Sequence, residues 1–208
     1  MTIKAILFDM DGVLIEAKDW HYEALNKALD IFGMPIDRHS HIATFDGLPT
    51  KRKLQILSAT RGLPLPLHGF INEMKQNFTE SITYSSCRPT FQHQYALAKL
   101  KANGYKIAVC SNSIRATVVL MMKLAKLEGY LDFVLSNEDV DKPKPAPDIY
   151  VKAMKLFDLR PDECLIVEDN DHGVQAARAS GAHVMRVSTT DDVTYHRIMS
   201  VIGGIEGQ

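Results

Sequence analysis

The chain has 208 residues, of which 46% are hydrophobic and 24% are charged. This composition is typical of one globular domain, or of one domain with a smaller insertion, and excludes a disordered chain. The 24 Lys and Arg residues almost balance the 25 Asp and Glu residues, which gives a net charge of −1. Because nucleic-acid binding and polybasic membrane binding need a basic excess, we expect neither partner.

Cysteine usage and hydropathy narrow the class further. The three Cys residues are far apart and form no Cys-x-x-Cys pair, which argues against a disulfide framework or a structural zinc site. No stretch approaches the ~18 apolar residues of a membrane helix. The first apolar run is interrupted at Asp9, so it is too short for a signal peptide. We expect a cytoplasmic protein that is a monomer or a small homo-oligomer.

Short apolar runs that end in polar turns alternate with helical patterns along most of the chain. The first run, residues 3–8, ends at Asp9. This alternation predicts the α/β class, with a Rossmann-like parallel sheet and helices on both of its faces. Ligands of such sheets bind at the carboxyl ends of the strands. The other predicted strands cover residues 106–110, 133–135, 164–167 and 183–187, and the predicted helices cover residues 91–103, 114–127, 148–157 and 172–180.

The segment between the first strand and the rest of the sheet has a different pattern. Apolar residues recur at helical spacing between Ala24 and Phe32, and again in residues 54–57 and 70–78. No strand-like run interrupts them, which favours a small all-helical insertion. The predicted division is a core domain of residues 1–15 and 85–208 and a helical cap domain of residues 16–84.

Two carboxylates follow the first strand at a spacing of two residues. Asp9 and Asp11 come just before Gly12, which permits a tight backbone turn. One carboxylate can serve as a nucleophile and the other as an acid/base, or the two together can hold a hard cation. The alternative is that Asp and Gly are simply good turn residues.

A second acidic pair ends another predicted strand. Glu168 and Asp169 are adjacent after an apolar run. Clustered carboxylates are costly unless a cation compensates their charge. Since no matching His or Cys accompanies them, Mg²⁺ suits the set better than zinc. The alternative is a solvated acidic loop.

Two further segments fit a phosphate site. Ser111-Asn112-Ser113 ends a strand and opens a helix, so it offers a hydroxyl and free helix amides; alternatively, Ser113 is only the N-cap of that helix. The Lys-Pro-Lys-Pro-Ala-Pro run of residues 142–147 is a stiff basic loop that can neutralise phosphate, or a plain surface turn. Together with the acids, these are the parts that phosphoryl transfer needs.

The four segments, in this order, resemble the motifs of the haloacid dehalogenase-like (HAD) superfamily. The likeness is to subfamily I, which has a helical cap after the first motif, and to its branch of phosphatases and β-phosphoglucomutase-like enzymes. The segments are FDMDGVL (residues 8–14), CSN (110–112), KPAPDIY (144–150) and VEDNDHGVQAA (167–177).

The resemblance implies a role for each matching residue. Asp9 would attack phosphorus and form an aspartyl-phosphate, and Asp11 would protonate the leaving oxygen and then activate water. Ser111 and Asn112 would bind the transferred phosphoryl group. Lys144 would pair with Asp9 and with that group, and the register favours it over the nearby Lys142.

The resemblance also implies a metal site and a substrate site. Mg²⁺ would be bound by Asp9, the backbone carbonyl of Asp11 and Asp169, with Glu168 close by or ligating. The cap would select the substrate. The cap residues that match the branch, or that stand in its substrate loop, are His21, Gly47, Thr50, Lys51 and Arg52.

We therefore predict an enzyme, a Mg²⁺-dependent phosphomonoester hydrolase that acts on a small phosphorylated metabolite such as a sugar phosphate. One alternative is a β-phosphoglucomutase-like sugar phosphomutase. Two departures lower that alternative, because Thr50 stands where the mutases present an arginine and Ala17 stands near their hydroxyl residue. A third alternative is a metabolite-binding regulatory protein without catalysis, which the presence of both aspartates disfavours.

Overall fold

The computed structural model describes residues 2–207, which separate into two compact units. The core unit comprises the residues up to Glu16 and those from Arg88 onward, and the cap unit comprises Ala17–Cys87. None of the helices within the described residues is both long enough and apolar enough to cross a bilayer.

The core unit contains the predicted parallel sheet. Its five strands lie in the order β3-β2-β1-β4-β5, and every neighbouring pair is parallel. Such a sheet is covered on both faces, which explains why its strands are continuous apolar runs. The strands are β1 (Ala5–Phe8), β2 (Lys106–Cys110), β3 (Phe133–Leu135), β4 (Cys164–Glu168) and β5 (His183–Arg186).

The cap unit is entirely helical in its regular structure. Its apolar core includes Leu25, Leu54 and Ile71, all fully buried. The sequence patterns miss its second helix, which is only seven residues long and begins after Asp37, whose side chain accepts a hydrogen bond from the backbone of Ser40. The helices of the cap unit are α1 (Lys18–Asp30), α2 (Arg38–Thr44), α3 (Thr50–Arg61) and α4 (His68–Ser86).

Five further helices belong to the core unit, and four of them coincide with predicted helices. The last one lies beyond the predicted elements. Residues of two of these helices, such as Ile149 and Ala176, join Leu7 and Ile166 in one buried cluster on one face of the sheet. On the other face, side chains such as Phe8 are fully buried as well. The helices are α5 (Phe91–Ala102), α6 (Arg115–Leu124), α7 (Asp148–Phe157), α8 (Asp171–Ala179) and α9 (Tyr195–Glu206).

The strand order creates a topological switch point beside β1. The chain adds β2 and β3 on one side of β1 and then β4 and β5 on the other side. In open α/β sheets, ligands bind at such a point, outside the carboxyl ends of the strands. Asp9 follows β1 and Glu168 ends β4, so the two acidic pairs of the sequence meet at the switch point.

Candidate active site

A tight turn after β1 places the two aspartates. The backbone N–H of Asp9 donates to the carbonyl of Val167 in β4 at 3.0 Å, so Asp9 stays attached to the sheet. Gly12 has a φ of 85°, in the region that favours glycine, and its N–H donates to the Ile15 carbonyl at 2.7 Å. As a result Asp9 is buried, whereas Asp11 is partly exposed.

Lys144 is the cation of the site, and it is 3% exposed. Its Nζ donates to Asp9 Oδ1 at 2.7 Å, to Glu168 Oε1 at 2.7 Å and to the Cys110 carbonyl at 2.8 Å. These contacts use all three ammonium hydrogens. Lys142, the other lysine of the loop, is exposed. The structure therefore brings Lys144 to the predicted nucleophile.

The Asn112 side chain holds the backbone of Lys144. Its Oδ1 accepts from the Lys144 N–H at 3.0 Å, and its Nδ2 donates to the Lys144 carbonyl at 3.1 Å. This paired contact fixes the loop of residues 142–147, here called the lysine loop, against the end of β2. The implied phosphate role of Asn112 stays a prediction, and its side chain has this second, unforeseen function.

Two serines follow β2 at the edge of the site. Ser111 is 1% exposed, and its Oγ accepts from the backbone N–H of Ser113 at 3.0 Å. The hydroxyl of Ser113 donates to Asp11 Oδ2 at 3.0 Å. The alternative interpretation of Ser113 as a helix N-cap is wrong, because α6 begins at Arg115 and Ile114 is its N-cap residue. Ser113 instead orients the predicted acid/base.

Glu168 is fully buried and surrounded by donors. Its Oε1 accepts from Lys144 and also from the Tyr150 hydroxyl, at 2.6 Å, and its Oε2 accepts from the Asp169 N–H at 3.1 Å. This role of Tyr150 was not predicted from the sequence, although the residue stands in the third motif. Tyr150 lies near the start of the amphipathic helix α7. Because a buried aromatic residue is ordinary in such a helix, the sequence does not indicate a contact with Glu168.

Carboxylates of the two acidic pairs come close enough to share a metal ion. One oxygen each of Asp9, Glu168 and Asp169 lies within 4.8 Å of the others, and all three residues are buried. An all-oxygen set without His or Cys suits a hard cation such as Mg²⁺. The residues present therefore fit the predicted metal.

The excess of negative charge in the cluster also favours a bound cation. Burial raises the pKa of Asp9 well above its ordinary value, and the carboxylates of Glu168, Asp169 and Asp11 raise that pKa further, whereas Lys144 lowers it. One ammonium thus faces four carboxyl groups. A bound cation would offset this excess and favour the ionised, nucleophilic form of Asp9.

Neighbouring groups with high pKa values are not alternative nucleophiles. Burial raises the pKa of the Cys110 thiol to about 12, so it is not a thiolate at neutral pH. Burial, followed by the charge of Glu168, raises the pKa of Tyr150 well above its ordinary value. Tyr150 therefore remains a neutral hydrogen-bond donor.

The predicted cap residues lie in two parts of the cap unit. His21 is on α1, where its Nδ1 lies 3.3 Å from Lys75 Nζ of α4. Gly47 has a φ of 71° in the turn that precedes α3. The remaining three residues begin α3, and the last two of them are exposed; they are Thr50, Lys51 and Arg52.

The cap unit also buries two basic side chains whose burial the sequence does not predict. Lys53 and Lys75 are each 7% exposed. Lys53 directly follows two exposed basic residues, so composition alone could not separate it from them. The substrate roles assigned to the cap stay predictions.

The family model of haloacid dehalogenase-like hydrolases matches residues 6–187. Because this match spans most of the chain, the protein belongs to the haloacid dehalogenase-like hydrolase family. The predicted family and the prediction of an enzyme are confirmed.

Individual relatives cover nearly the whole chain. Pyrophosphatase PpaX of Bacillus mycoides is 29% identical over 201 residues, which are 91% of this chain and 86% of that protein. The crystal structure of β-phosphoglucomutase from Clostridium difficile superposes with a TM-score of 0.86 at 20% identity over 100% of both chains. CbbY from Rhodobacter sphaeroides, in complex with phosphate, superposes with a TM-score of 0.80 at 24% identity over 89% of this chain and 86% of that one. The two structures confirm the predicted fold.

Proposed function

We propose that the protein is a Mg²⁺-dependent phosphomonoester hydrolase that acts on a small phosphorylated metabolite through an aspartyl-phosphate on Asp9. The observation that carries this proposal is the buried contact of 2.7 Å between Lys144 Nζ and Asp9 Oδ1, set within a cluster of carboxylates. A nucleophilic carboxylate, a fixed cation and an all-oxygen metal site are the components of phosphoryl transfer.

The first step uses Asp9 and Asp11. A carboxylate oxygen of Asp9 forms a bond to phosphorus as the bond from phosphorus to the ester oxygen breaks. The carboxyl group of Asp11 gives its proton to that leaving oxygen. The Ser113 hydroxyl donates to Asp11 Oδ2 at 3.0 Å and so orients the carboxyl group for this transfer.

The second step returns the enzyme to its starting state. Water attacks the phosphorus of the aspartyl-phosphate, and the Asp11 carboxylate takes the proton of that water. The bond between phosphorus and Asp9 breaks, which releases inorganic phosphate and regenerates the carboxylate of Asp9. Asp11 is then protonated, ready for the next leaving group.

Charge on the transferred phosphoryl group is balanced by the end of β2 and the lysine loop. Ser111 and Asn112 lie at the end of β2, and Lys144 is held there by the Asn112 amide. A fixed ammonium and hydroxyl stabilise developing charge without having to reorganise during the reaction. Of the three, Lys144 also contacts the nucleophile, so it links phosphate binding to attack.

We further propose that Asp9, the backbone carbonyl of Asp11 and Asp169 hold Mg²⁺, with Glu168 close by or ligating. When bound, the ion supplies positive charge that neutralises phosphate oxygens. The grouping of Asp9, Glu168 and Asp169 supports this assignment. A chelator should abolish turnover and Mg²⁺ should restore it.

Names of relatives support a phosphorylated substrate. One relative is named a pyrophosphatase, and CbbY has been crystallised with phosphate and, as a mutant, with xylulose 1,5-bisphosphate. We propose that the cap unit selects among such substrates through His21 and the segment from Gly47 to Arg52. A screen over sugar phosphates, nucleotides and phosphoamino acids would identify the class.

The proposal is tested with an aryl phosphate and the variant Asp9→Asn. The wild-type enzyme should release phosphate only with Mg²⁺, and the variant should lose turnover by at least about 1,000-fold while it stays folded. Hydrolysis at the parent rate would contradict the role of Asp9. Incubation with β-glucose 1-phosphate and a bisphosphate activator separates the mutase alternative, which yields glucose 6-phosphate in place of free phosphate.

A further inference from the structure

Glu168 accepts hydrogen bonds from three groups, of which Tyr150 has no part in the proposed chemical steps. It is 0% exposed, and its Oε1 receives hydrogen bonds from both Lys144 and Tyr150. Its Oε2 receives the Asp169 N–H. Because Lys144 also contacts Asp9, any displacement of the Glu168 carboxylate changes the surroundings of the ammonium beside the nucleophile.

Tyr150 contacts both members of the buried ion pair. Its hydroxyl lies 2.6 Å from Glu168 Oε1, and Lys144 Nζ lies 4.8 Å from the centre of its ring, within the range of a cation–π interaction. Tyr150 is itself fully buried. One rigid side chain on α7 therefore supports the anion with its hydroxyl and the cation with its ring.

Gly173, in the first turn of α8, packs its backbone directly against the Glu168 carboxylate. A Cβ added at this position would lie 2.0 Å from Cδ and Oε1 of Glu168 and 2.1 Å from its Oε2. Contacts this short are impossible, so a side chain at position 173 requires a shift, and the Glu168 carboxylate, as the end of a flexible side chain, moves more readily than the helix backbone. The requirement is steric, since α8 continues through Gly173 as a regular helix.

We propose that Tyr150 and Gly173 are positioning residues that fix the Glu168 carboxylate and, through it, the Lys144 ammonium beside the reacting phosphoryl group. This inference rests on the proposed function. Neither residue is expected to touch the substrate. Their loss should therefore lower kcat and leave KM nearly unchanged, because Lys144 stabilises charge that develops in the transition state.

The first test compares Gly173→Ala with Gly203→Ala. Both glycines lie in helices, but nothing lies within 4 Å of a Cβ at Gly203. We expect Gly173→Ala to lower kcat by at least about 100-fold and Gly203→Ala to leave it unchanged. Equal kcat values for the two folded variants would overturn the role of Gly173.

The second test compares Tyr150→Phe with Tyr195→Phe, and it needs only the loss of one hydroxyl. Tyr195 accepts a hydrogen bond from Asn103 at 2.7 Å, so both variants lose a contact. We expect Tyr150→Phe to lower kcat about 10-fold with KM within twofold, and Tyr195→Phe to change neither. A lower melting temperature with unchanged kcat would reduce Tyr150 to a packing residue and overturn the proposal.

Crystal structures of Tyr150→Phe and Gly173→Ala separate this inference from the proposed function. In Gly173→Ala the Glu168 carboxylate should have moved away from Lys144 Nζ. An unmoved carboxylate would overturn the positioning role even if the wild-type enzyme is active. If the wild-type enzyme hydrolyses no phosphate ester, the proposed function fails on that result alone, and the displacement of Glu168 still decides the positioning claim.

Discussion

The core unit and the cap unit differ in what determines the direction of their charged side chains. In the core unit, Asp9, Lys144 and Glu168 come from separate segments and meet through contacts of 2.7 Å. In the cap unit, Lys51 and Arg52 at the start of α3 are exposed, whereas the next residue, Lys53, is buried. Convergent strand ends therefore fix side chains in space, whereas along a helix a single residue step turns a side chain from solvent to the interior.

The largest expected effect breaks the buried ion cluster of the core unit. Lys144→Met removes the ammonium from Asp9 and Glu168, both of which are buried. Leaving such charges without their partner costs about 3–5 kcal/mol of stability, and we expect kcat to fall at least about 1,000-fold. Chemical denaturation and steady-state kinetics measure the two quantities.

Lys142→Met is the matched control, because Lys142 lies in the same loop and is exposed. It should change stability by less than about 0.5 kcal/mol and leave kcat at the parent value. Similar losses in both variants would show that the loop as a whole, and not the buried contact of Lys144, carries the effect.

The next effect concerns a buried cap residue and the pH dependence of stability. Burial lowers the pKa of His41 to about 4, with Lys53 lowering that pKa further and Asp46 opposing it. The unfolded chain binds a proton below pH ~6.5, whereas the folded chain binds it only near pH 4. The contribution of neutral His41 to the free energy of unfolding is therefore fully present above pH ~6.5. It decreases by about 3 kcal/mol as the pH falls to 4.

His41→Phe removes this titration and keeps a ring beside Tyr22 and Phe45, which His41 now contacts. We expect its free energy of unfolding to fall less between pH 7 and pH 4 than that of the parent. Denaturant titrations at several pH values test this. If the free energy of unfolding falls equally with pH in both proteins, groups other than His41 cause the acid sensitivity.

A smaller effect tests how Asp11 is oriented. Ser113→Ala removes the hydroxyl that donates to Asp11 Oδ2 at 3.0 Å. We expect kcat to fall about 10-fold for an alkyl phosphate, whose leaving oxygen needs a proton. An aryl phosphate, which leaves as a stable anion, should show a smaller loss in its first, phosphorylating step. Equal losses in a pre-steady-state comparison of the two substrates would contradict a specific role in protonation.

The smallest expected effect on stability comes from the start of α3. Because Lys51 and Arg52 are exposed, Lys51→Ala and Arg52→Ala should each change the free energy of unfolding by less than about 0.5 kcal/mol. If the predicted substrate role is right, KM should rise severalfold while stability stays constant. An unchanged KM in both variants would remove these residues from substrate binding.

The sequence predicts the sheet and its acidic edge because both depend on local patterns. Asp9 directly follows one apolar run and Glu168 ends another. The carboxyl ends of parallel strands lie at the same edge of the sheet, so the two residues come together. The contacts between Asn112 and Lys144 and between Ser113 and Asp11 depend on side-chain directions in loops, which spacing does not determine. Tyr150 and Gly173 remained hidden because an aromatic residue in a helix, or a glycine near its start, has ordinary structural explanations.

In the cap unit, local patterns predict less. Helix α2 is short and contains two His residues among its seven positions, so its apolar periodicity is weak. The burial of Lys53 beside exposed Lys51 and Arg52 follows from rotation about the axis of α3. Basic composition alone therefore identifies the segment but not the side chain that faces the interior.

Trapping of the phosphorylated enzyme tests the role of Asp9 as nucleophile. In Asp11→Asn, an aryl phosphate and Mg²⁺ should still phosphorylate Asp9, because the leaving group needs no proton. The aspartyl-phosphate should then be hydrolysed slowly, because the variant lacks the base that activates water. After acid quenching, mass spectrometry of the digested protein should find one phosphoryl group on the peptide that contains Asp9, and none when Asp9→Asn is added. Phosphate release by the wild-type enzyme without any phosphorylation of that peptide in Asp11→Asn would contradict the account.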